Sequence, residues 1–227
     1  MQSVLNLSLP LKHNLLIGAP CAGKDVFANQ SIKSIKQQRP NLKVYVIDIK
    51  AYSSKSQYSS CADILWIQDS SAVVTDSDVE KFVAWIRHCF TEFESLEGEK
   101  LLVLPESTLI FHFFGQNRNN RTWLANKIIN YLCLGNAAGI YIWLLGSSFF
   151  ASETGISRQF WVSFNPVLIV HKDNLALYNY LLGTDFLPKD CRLSAERIRA
   201  IASQSPVGRA VYHDGQWLPM PELALAQ

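Results

Sequence analysis

The chain has little net charge. Its formal charge is +2 over 227 residues, so no global field draws it to nucleic acid, and a DNA contact would need a local basic patch. It also lacks paired cysteines. Cys21, Cys61, Cys89, Cys133 and Cys191 are odd in number and widely spaced, with no C-x-x-C pair, which excludes a structural zinc site of the usual spacing. Most of them lie in apolar runs such as IRHCF and NYLCLG, which reads as free, reduced core thiols in a cytoplasmic protein. His13, His88, His112, His171 and His213 are scattered and unpaired at metal spacing. No Ser-His-Asp arrangement or nucleophile elbow can be made out. The N-terminal MQSVLNLSLPLKHN has neither the basic nor the long apolar region of a secretory leader. The most apolar stretch, AAGIYIWLLGSSFFA, is too short for a membrane span and is broken by small polar residues. It reads as a buried strand leading into a loop. Repeats and low-complexity segments are absent.

What is present suits one α/β domain over residues 1–227. Apolar residues make up 48% and aromatics 11%, ample for a sizeable core. Short apolar runs alternate with amphipathic stretches. Strands are expected at 13–18, 42–50, 62–68, 100–106, 140–148 and 166–172. Helices are expected at 24–38, 76–97, 121–139, 173–183 and 194–203. Asp76 or Ser77 can cap the second helix and Gly98 stop it; Asp173 or Asn174 can cap the fourth. STLIFHFFGQNRNN (107–120) reads as a loop or irregular insertion. The segment 208–221 reads as a hairpin around Asp214-Gly215. Strands alternating with helices imply βαβ units and a mainly parallel sheet, with ligands beyond the carboxyl ends of the strands.

One such end carries chemistry. LLIGAPCAGKDVFA (15–28) holds Gly18, Gly23 and Lys24 at the spacing of the phosphate loop G-x-x-x-x-G-K-[ST], between an apolar strand and a helix. The glycines let backbone N–H groups wrap phosphates, the helix adds its positive end, and the lysine reaches the β and γ phosphates. Gly18, Ala19, Pro20, Cys21, Ala22, Gly23, Lys24, Asp25 and Val26 are therefore the candidate nucleotide-binding residues for ATP.

The hydroxyl that would hold Mg²⁺ is replaced by Asp25. A carboxylate can ligate Mg²⁺, but it sets a negative charge beside the phosphates and can instead satisfy its own helix N-terminus. In LLVLPES, Glu106 stands where a water-activating carboxylate would, although a solvated strand-end acid explains it as well. Pro105 occupies the position of the usual aspartate. Asp48 and Lys50 end a strand at the same edge, for ligand contact or for a salt bridge or cap.

In order along the chain, LLIGAPCAGKDVFANQSI, VYVIDIKAYSSKSQY, LLVLPES, NKIINYLCLGNAAGIYIWLLGSS, ISRQFWVSFNPVLIV and SPVGRAVYHDGQWLPMP resemble the ordered motifs of the FtsK/HerA class of DNA-pumping ATPases. That class includes conjugation coupling proteins and viral packaging motors. The resemblance covers nearly the whole chain. It implies a three-layer, RecA-like phosphate-loop NTPase with a mainly parallel sheet and a small C-terminal hairpin. It also implies ATP and Mg²⁺ as cofactors and DNA as substrate in translocation, plasmid mobilisation or packaging. The family works as a ring, usually a hexamer, in which a neighbour's arginine completes each site. Arg118, Arg121 and Arg158 are candidates for that arginine; the first two lie in the polar stretch FGQNRNNR, which an ordinary surface loop also explains. The family's sensor glutamine is missing, and Ser147 or Ser148 would have to replace it. With Asp25 and Pro105, that leaves two functions open: an active ATPase with Lys24 and Glu106 as catalytic residues, or a non-hydrolysing scaffold or regulatory subunit. A small-molecule phosphotransferase ranks last, because no arginine-rich lid is visible.

Overall fold

The computed structural model describes residues 9–50, 56–184 and 186–223. The reading of the N-terminus as free of a leader, and residues 51–55 of the VYVIDIKAYSSKSQY segment, lie outside these. Eight strands form one sheet in the order β3-β2-β4-β5-β1-β6-β7-β8. They are β1 (Asn14–Gly18), β2 (Lys43–Asp48), β3 (Ile64–Ile67), β4 (Lys100–Leu104), β5 (Ile140–Gly146), β6 (Asn165–His171), β7 (Arg209–His213) and β8 (Gln216–Pro219). The first six pair in parallel; β6–β7 and β7–β8 are antiparallel. The helices are α1 (Lys24–Gln38), α2 (Asp76–Ser95), α3 (Ser107–Gly115), α4 (Arg118–Ala138), α5 (Ala151–Thr154), α6 (Arg158–Trp161), α7 (Ala176–Leu182) and α8 (Ala195–Ser203).

Three layers follow from the two-residue period of the strands. Leu15, Ile17, Tyr45, Ile47, Leu102, Leu104, Ile142 and Leu144 face one core, shared with apolar residues of α2, α3, α4, α7 and α8. Their neighbours Leu16, Val44, Val46, Leu101, Val103, Trp143 and Leu145 face the other core, shared with α1, Tyr58 and Cys61. Both sheet faces are covered, as the continuous apolar runs in β4 and β5 require.

The sequence expectations need four corrections. Residues 107–120 are not a loop: they form α3 and the start of α4. Aromatic residues are poor helix formers, but burial of Ile110, Phe111 and Phe114 overrides propensity. The cap of α2 is neither Asp76 nor Ser77. Thr75 Oγ1 accepts from the Asp78 N–H at 3.2 Å while Asp78 Oδ2 accepts from the Thr75 N–H at 3.1 Å, a reciprocal capping box. The fourth expected helix starts late, at Ala176, because 171–174 turns back on itself in a bridge between His171 and Asn174. Finally, only Cys61 and Cys89 are buried; Cys21 and Cys133 are exposed, Cys191 is half-buried, and all are free thiols.

The carboxyl end of α2 is closed by a buried lysine. Lys100 Nζ donates to the carbonyls of Phe93 (2.7 Å), Glu94 (3.2 Å) and Leu96 (2.5 Å), a cation at the negative end of a helix. His13 is buried beneath β5 and accepts from the Ile142 N–H at 3.2 Å. Burial pushes its imidazole down to about 4, so it is neutral in the fold.

Lys100→Met is expected to lower the urea midpoint by an amount equivalent to ~1–3 kcal/mol without changing the slope of the transition. A second expectation concerns acid. The unfolded chain binds a proton at His13 below about 6.5, and the folded one only below about 4. Stability is therefore complete above pH 6.5 and falls by about 3 kcal/mol as pH drops to 4. Urea titrations across that range should show a shallower fall for His13→Asn. His213, also lowered by burial, supplies slope of the same sign in both proteins.

Candidate functional site

The loop from Gly18 to Lys24 leaves β1 at the carboxyl edge of the sheet and enters α1. A β-carbon at Gly18 would lie 3.1 Å from Ala22 Cβ and 3.3 Å from the Ile169 carbonyl oxygen, so a larger residue would have to push these neighbours aside. Gly23 has φ 91°, open to glycine at little cost. Cys21, at φ 60°, takes the left-handed region without being glycine. Lys24 is buried and folded over the loop: its ammonium donates to the carbonyls of Gly18 (2.9 Å) and Ala19 (3.1 Å). Burial lowers its pKa, opposed by the charges of Glu106 and Asp25.

Parallel pairing brings the ends of β2 and β4 to the same edge. Lys50, just past β2, is the hub. Its ammonium donates to Asp25 Oδ2 at 3.0 Å and is ion-paired with Glu106 Oε1. Burial alone would lower Lys50, but Asp25 and Glu106 together hold it above its ordinary value. The other oxygen of Asp25 accepts from the Tyr58 hydroxyl at 2.9 Å. Burial, followed by the charge of Asp25, raises Tyr58 well above the usual phenol range, so it stays a donor. Asp48 accepts from the Lys50 N–H at 3.0 Å and from the Ser56 hydroxyl. It ties down the backbone that carries Lys50, and also lines the cavity.

Above the loop lies a cavity of about 740 Å³, bounded by Cys21, Gly23, Asp25, Val26 and Lys50 on one side and Val207, Arg209, Met220 and Leu223 on another. Its size suits a nucleotide. The structure thus brings together Gly18, Ala19, Pro20, Cys21, Ala22, Gly23, Lys24, Asp25 and Val26 in one loop and helix start, with Glu106 linked through Lys50. Arg118, Arg121 and Arg158 do not line this cavity. Arg118 is the first residue of α4, Arg158 the first of α6, and Arg121 donates to the Ser152 carbonyl at 3.1 Å. Ser147 and Ser148 are likewise elsewhere. They bond to the Thr108 hydroxyl, and Ser148 lines a second cavity of about 360 Å³ with Thr108, His112 and Arg121.

Sequence reasoning missed Tyr58 and Arg209. Tyr58 gave no local signal, since its partner Asp25 is 33 residues away. Arg209 opens β7. Because β7 runs antiparallel to β6, with Arg209 paired to His171, its first residue lands at the edge where the parallel strands end. Its Nη2 donates to the Cys21 carbonyl at 2.9 Å.

No family model and no curated protein matches the chain. Solved structures do. The DNA-packaging ATPase B204 from Sulfolobus Turreted Icosahedral Virus aligns over 93% of this chain and 98% of its own, at 12% identity and a TM-score of 0.52. The genome packaging NTPase B204 from Sulfolobus turreted icosahedral virus 2, in complex with AMPPCP, aligns over 95% and 100%, at 12% identity and a TM-score of 0.54. The same NTPase with ATP-gammaS aligns over 93% and 98%, at 13% identity and 0.54. At such identities the likeness is one of fold: the chain has the three-layer, RecA-like fold of a phosphate-loop NTPase, shared with these viral packaging enzymes.

Proposed function

We propose that the chain, taken over 1–227 as one unit, is an ATP-binding phosphate-loop ATPase of the FtsK/HerA kind. It would act on DNA in transfer, mobilisation or packaging, in the cytoplasm, as a ring or as a subunit of a larger assembly. The observation that carries this reading is the buried Lys24 ammonium folded over the glycine loop, whose residues Cys21 and Gly23, with Asp25 beside them, bound a nucleotide-sized cavity. The shared fold with NTPases solved with ATP analogues supports it. On nucleotide binding, Lys24 exchanges its carbonyl partners for the β and γ phosphates, and the loop N–H groups donate to the remaining phosphate oxygens.

Asp25 and Glu106 both reach the single ammonium of Lys50. Two carboxylates converging on one cation are a donor set that Mg²⁺ accepts when phosphate oxygens complete it. They are the residues that would hold it, and the metal would offset phosphate charge there. Glu106 is placed to orient an attacking water once Lys50 releases it. Arg118, Arg121 or Arg158 could meet a nucleotide only from a neighbouring copy.

A second reading, a non-hydrolysing scaffold or regulatory subunit, is favoured by one observation: both carboxylates of the hydrolytic machinery are already engaged by Lys50, and Asp25 by Tyr58 as well.

The readings separate on turnover. ATP should bind with micromolar affinity and be hydrolysed, and Lys24→Ala should weaken binding by roughly 10- to 100-fold and abolish hydrolysis. Tight binding without phosphate release at any protein concentration would leave only the scaffold. Lys50→Met should make nucleotide binding more dependent on Mg²⁺. Calorimetric titrations with Mg²⁺ and with a chelator check this: equal dependence in variant and wild type removes Lys50 from the metal's place.

A further inference from the structure

Lys24 occupies one part of the loop, at the carbonyls of Gly18 and Ala19. A second cation occupies the other. Arg209 Nη2 donates to the Cys21 carbonyl at 2.9 Å, and its Nη1 lies 2.9 Å from where a β-carbon on Gly23 would stand. That bond is to a carbonyl, not a carboxylate, and among the described residues the guanidinium is in no ion pair. Arg209 Nε is buried and has no acceptor. The side chain lines the large cavity where the loop gives way to a mostly apolar wall of Val207, Met220, Pro221 and Leu223, with Glu222 among them. Such a wall suits a base, whereas Lys24, Asp25 and Glu106 lie toward the far end of the phosphate chain.

From this placement, and resting on the nucleotide-binding reading above, we infer that Arg209 is a phosphate ligand supplied in cis. It holds the base-proximal phosphates that ADP and ATP share. A planar guanidinium presents several donors in a fixed fork, which matches two phosphate oxygens at once. The antiparallel turn of β7 delivers it. Had β7 continued the parallel sheet, its first residue would stand at the opposite edge. A side chain at Gly23 would meet this guanidinium and push it from its present place.

The test uses a fluorescent ADP analogue as probe, with unlabelled ADP, ATP and inorganic tripolyphosphate as competitors. Arg209→Gln is expected to weaken ADP, ATP and tripolyphosphate alike, by roughly 10- to 100-fold. Arg209→Lys, which keeps the charge but loses the fork, should recover part of that loss. A residue that only propped the loop would not be rescued in proportion to charge. Thermal unfolding without nucleotide identifies a variant that fails to fold; should Arg209→Gln do so, Arg209→Lys carries the test, with a loss of about threefold or more expected. If ADP and tripolyphosphate bind the folded variant as they bind wild type, the assignment is overturned, and so it is if only ATP is affected. Restoration of binding on adding the Lys24→Ala chain, whose Arg209 is intact, overturns the cis placement. A wild-type chain that binds none of these ligands overturns the phosphate-loop reading itself, and this inference with it.

Discussion

One ammonium group joins three separate pieces of the chain. Lys50 extends from the end of β2 to Asp25 at the start of α1 and to Glu106 at the start of α3. Each contact is partly open to water, so each contributes about 1 kcal/mol or less to stability. The significance of the bridge lies in position rather than energy. It fixes the register of the acidic residues around the phosphate loop, and Asp48 and Tyr58 hold it from below. Lys50 holds one oxygen of Asp25 and the carboxylate of Glu106, and Tyr58 holds the other oxygen of Asp25.

The fold was largely legible, because its signals are local. Apolar runs with β-branched residues marked the strands, and glycine with lysine at fixed spacing marked the loop. The errors fell where tertiary context outweighs local pattern. Residues 107–115 are crowded with phenylalanine, which says nothing about helix until the sheet face that buries Phe111 and Phe114 exists. The stop of α2 is assisted by Lys100, whose three carbonyl partners lie in the helix end that precedes it.

The site was legible in half. The loop residues could be named from spacing, since the motif is contiguous and its mechanics are backbone mechanics. The residues that complete the cavity come from distant segments. Lys50 and Glu106 were visible as strand ends, but their convergence on one another depends on β2 and β4 being neighbours. Arg209 depends on more: the sense of the last hairpin and its register against β6. Ser147 and Ser148 illustrate the converse. They stand at the right strand end in the sequence, yet their backbone is held by Thr108, and they do not line the loop cavity.

The substitution at position 25 changes meaning in this light. An acid beside a phosphate loop looks like a defect when considered alone, because it adds a negative charge where phosphates must sit. In the fold it is one half of an ion pair. Asp25 and Glu106 both meet the ammonium of Lys50, and Asp48 accepts from the Lys50 N–H, so the acid at 25 does not stand alone beside the loop. Arg209, on the other side of the loop, bonds to the Cys21 carbonyl. The acid is matched by a cation and a phenol, the lysine is buried over the glycine turn, and an arginine stands on the loop's other side. The carboxylates are gathered around Lys50, while the loop from Gly18 to Lys24 keeps the geometry its backbone imposes.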